Sequence, residues 1–132
     1  MLTFAAVSAE AATGEALEHF CAKLARATGL AFEPRVFGSY AELRDSALSG
    51  SLDLVWAPPL VAVDLEDAGC AESAVVVHRS TRAGYYSALF AKAESRLNAV
   101  EDLQGVRAAW VSKESASGYF VPRWHLRSLG LR

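Results

Sequence analysis

The sequence predicts an α/β fold with a mostly parallel sheet, and three observations carry that expectation. Short apolar runs of strand length alternate with segments of helical periodicity through the first half of the chain. The helical segments start at capping residues or prolines and stop at glycines. Each of the first two helices stands between two strands, and a strand–helix–strand passage returns the second strand parallel to the first.

Taken in order, Leu2 to Val7 is an apolar run of strand length. From Thr13 the period changes: Leu17, Phe20, Cys21, Leu24 and Thr28 share one face of a helix that Gly29 ends. Leu30 to Phe37 reads as a second strand, and Pro34 assigns it to an edge or a bulge, since proline has no N–H for a ladder. Ser39 and Glu42 have capping-box spacing, so a helix opens there and presents Tyr40, Leu43 and Ala47 before stopping near Ser49 and Gly50. Leu52 to Trp56 is a third strand, and Pro58-Pro59 opens another short helix, because proline tolerates the first helical turn. Ala74 to His78 and Tyr85 to Ala91 read as extended segments, with too few residues between them for a helix. Ser95 to Leu103 is a short helical region, Val106 to Val111 a further strand, and Val121 to Leu129 a helix closed by Gly130.

Composition narrows the function classes. The chain has 132 residues, 52% of them hydrophobic and 21% charged, which is globular composition with room for a core. A net charge of −2 gives no footprint for nucleic acid. The one cationic grouping, Arg123, Arg127 and Arg132, reads as a solvated helix face. Cys21 falls in an apolar stripe and reads as a small buried hydrophobe, and whether it bridges to Cys70 is left open. No CxxC, HExxH or histidine cluster occurs, so no metal and no cofactor are expected. G-x-S-x-G, G-x-G-x-x-G and Walker motifs are missing too, which argues against an enzyme. No basic leader precedes an apolar core at the N-terminus, and no run approaches the ~18 apolar residues of a membrane span. The chain is therefore expected to be cytoplasmic unless an export signal has been removed.

The strongest local chemistry lies in Ser112 to Leu126 (SKESASGYFVPRWHL). Small hydroxyl residues between a strand and a helix start give unpaired backbone N–H groups, the positive end of a helix dipole, and O–H donors from Ser115 and Ser117. Gly118 lets the backbone approach an oxyanion closely. The same residues serve equally well as an ordinary N-cap, and local chemistry does not separate the two readings. Trp56 and Ser8 each follow a strand at the carboxyl edge of the sheet, where open α/β sheets bind ligands, although Trp56 also suits a core. Tyr40 fits either a cleft or a half-buried helix start. His78, Arg79 and Arg82 read as solvated loop residues.

Five segments in sequence order resemble the phosphonate/phosphite-type substrate-binding proteins of ABC transporters, a branch of the type 2 periplasmic-binding-protein fold. They are Ser39-Tyr40-Ala41-Glu42-Leu43, SGSLDLVWAPPL over 49–60, GYYSALFAKAES over 84–95, EDLQGVRAAWV over 101–111, and the serine-rich stretch, which is similar to S-(T/A)-S-G-Y-x-x-P. The chain departs at Pro58, where the family has glycine, and at Ala116, where a hydroxyl residue is common.

The resemblance implies a three-layer αβα lobe over 1–80, with 81–132 as crossover strands and the start of an incomplete second lobe. It further implies non-catalytic binding of a small oxyanion (phosphonate, phosphite or a phosphate ester) by Tyr40, Trp56, Tyr85, Ser115, Ala116, Ser117, Gly118 and Ser8. Tyr85 would face the ligand and Tyr86, of opposite parity, the core. Implied partners are a transporter permease and, through the incomplete lobe, a second copy of the chain. The implied location is periplasmic or lipoprotein-anchored. Family members are much longer, so this chain is expected to bind weakly by itself. The alternative is a cytoplasmic sensor or biosynthetic enzyme reusing the type 2 fold.

Overall fold

The computed structural model describes residues 1–8, 12–76 and 86–131, and it divides into two compact units, Met1–Val76 and Val77–Arg132.

The first unit is α/β. Strands β1 (Leu2–Val7), β2 (Phe32–Phe37) and β3 (Leu54–Val55) form a parallel sheet in the order β2-β1-β3. Helices α1 (Ala12–Thr28), α2 (Tyr40–Leu48) and α3 (Pro59–Asp67) follow the strands in turn. The chain moves one way from β1 to β2 and then back across β1 to reach β3. With right-handed crossovers, that reversal puts α1 and α2 on opposite faces of the sheet.

Side-chain parity along β1 agrees. Phe4 and Ala6 pack with Leu17 and Cys21 of α1, while Ala5 is fully buried on the other face, the face of the buried Leu43, Val61 and Leu65 of α2 and α3. Phe20 adds a tilted ring contact to Phe4, centroids 5.4 Å apart.

Local signals set the element ends. Gly29 takes φ 75°, the left-handed stop that a glycine supplies at no steric cost. Ser39 caps α2 by accepting from the Glu42 amide at 3.2 Å, the serine half of the expected box. Pro59 stands in the first turn of α3. Pro34 lies on the edge strand β2, opposite Phe4, where its missing N–H costs nothing on the outer side. The third strand is shorter than the expected 52–56. The Asp53 carboxylate accepts the Thr3 amide at 2.7 Å and so takes a donor that a longer β3 would have paired.

The chain from the end of the first unit onward departs most from expectation. None of the described residues over 74–76, 86–91 and 106–111 lies in a strand. Apolar runs become strands only when a neighbour supplies ladder partners, and no strand among the described residues pairs with these segments. Tyr86, expected in the core, is 99% exposed for the same reason. Residues 77–85, which include His78, Arg79, Arg82 and Tyr85, lie outside the described residues. Regular structure here is a short 3-10 turn (Val100–Leu103), a π-helical turn (Ala116–Phe120), and α4 (Val121–Ser128), which ends at Gly130 with φ 83°. The 3-10 turn is opened by the Asp102 carboxylate, which accepts the amides of Asn98 and Ala99 at 2.8 and 3.0 Å.

Candidate functional site

Three of the expected site residues share the carboxyl edge of the first unit's sheet. Ser8 follows β1, Trp56 follows β3, and Tyr40 opens α2 just after β2. The Ser8 amide donates to Phe37 at 3.0 Å and the Trp56 amide to Ala5 at 2.7 Å, so backbone ladder bonds fix both positions. The chain reverses between β2 and β3 around β1, which makes this edge a topological switch point, the place where open parallel sheets bind ligands. Trp56 is 56% exposed, which settles it as a surface group and not a core one. Thr13, in the first turn of α1, donates its hydroxyl to Ser8 Oγ at 2.7 Å. Sequence reading missed Thr13. Its one signal was a hydroxyl residue a few positions after Ser8, where the first helix was expected to begin.

In the second unit, the serine-rich stretch folds as a tight hydroxyl turn. Ser115 is buried, and its Oγ accepts the Gly118 amide at 3.0 Å. Its carbonyl accepts the Phe120 amide at 3.0 Å, an i to i+5 bond that makes this turn π-helical. Single π turns of this kind recur at functional sites because they aim backbone groups differently from an α-helix. Ser115 caps the turn through the Gly118 amide, which leaves the amides of Ala116 and Ser117, at its first two positions, with no intrahelical acceptor.

Gly118 is required sterically. A Cβ there would lie 2.5 Å from Val111 Cγ2 and 2.9 Å from Ser115 Oγ. The turn is tied down by the Val111 amide donating to the Gly118 carbonyl at 3.4 Å and by Ser87 Oγ donating to the Ser117 carbonyl at 2.6 Å. Two hydroxyls of this stretch have no hydrogen-bond partner among the described residues. Ser112 Oγ is buried without a partner, and Ser117 Oγ makes no hydrogen bond. A hydroxyl in Ser115's position, accepting from an amide, still has its own proton to donate. The turn is therefore rich in donors, which suits an oxyanion. Behind it, Tyr119 meets Trp110 edge-on at 5.8 Å, and Arg123 lies over the Tyr119 ring, 5.0 Å from its centroid, while bonding the Tyr119 hydroxyl.

The chain matches, over residues 2–132, the family model described as ABC transporter, phosphonate, periplasmic substrate-binding protein. The chain belongs to this family. No curated protein and no solved structure gave a match. The phosphonate-binding family is the substrate-binding component of an ABC transporter, so this chain's role is to bind a small molecule for transport through a permease. Such proteins work outside the cytoplasmic membrane, and among the described residues no helix is long and apolar enough to cross one. The match spans both the sheet whose carboxyl edge carries Ser8, Tyr40 and Trp56 and the hydroxyl turn from Ser115 to Gly118. Among the described residues, no group of three or more His, Cys, Asp or Glu side chains converges as a metal site, and both cysteines are free, Cys21 buried and Cys70 exposed.

Proposed function

We propose that the hydroxyl turn from Ser115 to Gly118 holds the oxygens of a phosphonate, phosphite or phosphate ester. The observation that supports this reading is the uncommitted Ser117 hydroxyl beside free first-turn amides, in a chain of the phosphonate-binding family. Neutral donors at a helix start bind an anion without forming a buried ion pair, which keeps release easy for a transport cargo. Ala116 contributes its amide only, which leaves one hydrogen bond fewer than a hydroxyl residue would give. On the first unit, the carboxyl edge that carries Ser8, Tyr40 and Trp56 is a ligand-contact surface in its own right, and Tyr85 is a ligand residue by resemblance to the family alone. The protein is delivered to its permease from the periplasmic side, anchored by lipid or free. The uncovered apolar side chains of the second unit also support self-association of the chain.

Ligand-observed NMR with methylphosphonate, aminoalkylphosphonates, phosphite and phosphate tests the binding reading, because it detects millimolar binding as well as tight binding. The expected result is transfer from protein to at least one phosphonate, competed by phosphite and lost in Ser117→Ala. Silence across the panel overturns the reading.

A further inference from the structure

The net charge of −2 conceals a strong separation. The first unit, Met1–Val76, carries eleven acidic and four basic side chains, a net of −7. The second, Val77–Arg132, carries four acidic and nine basic ones, a net of +5, which restores the total of −2. Little of this charge is compensated locally. Among the described residues both ion pairs involve Arg44, with Asp45 and Asp64, and the second unit has none.

The positive charge is concentrated at one place. An open trough of about 1320 Å³ is lined only by residues of the second unit, and its walls are apolar, including Phe90, Val106 and Trp110. Four of its lining residues are cations, Lys92, Arg107, Arg123 and Arg127, and none is acidic. The volume exceeds the roughly 300–1,000 Å³ of ordinary small-molecule pockets and suits a segment of polypeptide. An occupant that matches it must be apolar and acidic.

The chain itself carries such a surface. The outer side of α3 exposes Val63 (50%) among Asp64, Glu66 and Asp67, while its inner side is held in the core by Val61 and Leu65. We propose that the trough docks the acidic outer side of α3 from a second copy of the chain. Each copy offers α3 and receives one, so the contact is reciprocal, and a reciprocal pair is the two-fold form of such an assembly. The apolar walls supply the contact area, and the charges set partner and register. This goes beyond ligand binding, and because Ser117 and Gly118 of the hydroxyl turn also line the trough, the docked helix and a bound ligand compete there.

Sedimentation velocity of the full chain at about 0.01 M and about 1 M salt tests the docking, because the screening length falls from about 30 Å to about 3 Å between them. The expected result is a dimer at low salt whose dissociation constant rises about tenfold or more at high salt. Arg107→Glu with Arg127→Glu, and separately Asp64→Lys with Asp67→Lys, each give a monomer at low salt. Mixing the two variants restores the dimer, since each reversed surface then meets its complement, and restoration also shows that both variants fold. A monomer at low salt overturns the proposal. So does a dimer that persists at high salt and in both variants, which would assign association to apolar contact alone.

Discussion

Replacing Gly118 with alanine tests whether the hydroxyl turn is held by the close approach of Val111. The new Cβ would stand 2.5 Å from Val111 Cγ2, 2.8 Å from Val111 Cβ and 2.9 Å from Ser115 Oγ. Val111 is 75% exposed, so its Cγ2 can rotate away. Its Cβ cannot move without the backbone, and the already long bond from the Val111 amide to the Gly118 carbonyl, 3.4 Å, is the one that breaks. Overpacking costs about 1–3 kcal/mol, and the lost hydrogen bond adds about 0.5–1.5 kcal/mol. Against these, alanine in a helical turn gains about 0.5–1 kcal/mol over glycine. The clash wins, with a net cost of about 1–3 kcal/mol, or roughly a 5- to 150-fold loss of protection at 1.4 kcal/mol per tenfold. Native-state hydrogen exchange read by mass spectrometry should show that loss over residues 111–120 while the first unit's exchange stays unchanged. Unchanged protection over 111–120 would refute the steric account, because helix propensity alone would then have decided the outcome.

Further expectations concern both units. Ser39→Ala removes the α2 cap and should lower the first unit's stability by about 1 kcal/mol in denaturant unfolding. Leu43→Ala, at a fully buried position, should cost about 2–5 kcal/mol in the same measurement. Amides from Asn98 and Ala99 hold the Asp102 carboxyl below the ordinary aspartate range. A lowered folded value means that its support of the 3-10 turn is complete above the ordinary value and is lost as pH falls through the folded one, which the Asn98 and Ala99 amide shifts in an acid NMR titration should trace. Burial pushes the Cys21 thiol up, so a thiol reagent at neutral pH should label exposed Cys70 promptly and Cys21 only on unfolding.

How far the sequence could be read depended on where each element finds its partners. Helix α1 and its stop at Gly29, the Ser39 cap and the Pro59 start all rest on groups within a few residues, and all were legible. The carboxyl-edge positions of Ser8 and Trp56 followed from strand order. By contrast, the expected strands at 85–91 and 106–111 depended on neighbours that pattern alone cannot supply, and the described residues there are not strands. The exposure of Tyr86 follows from the same missing neighbours. The bond from Thr13 to Ser8 was hidden because it joins a helix start to a strand end through two small side chains. Arg123 and Arg127 were visible in the sequence but read as a solvated helix face, because the charge separation that gives them a role appears only once the chain divides at Val76.

The Asp53 carboxylate on the Thr3 amide has a consequence for how this sheet meets other chains. A two-residue β3 at the sheet margin would ordinarily leave β1's next donor open to any passing strand. Here that donor is occupied, and the group occupying it is a carboxylate that an incoming backbone would have to displace. The sheet's short side is thus gated against promiscuous strand addition. Asp53→Ala would remove the gatekeeper and leave the fold's weakest margin as a template for aggregation.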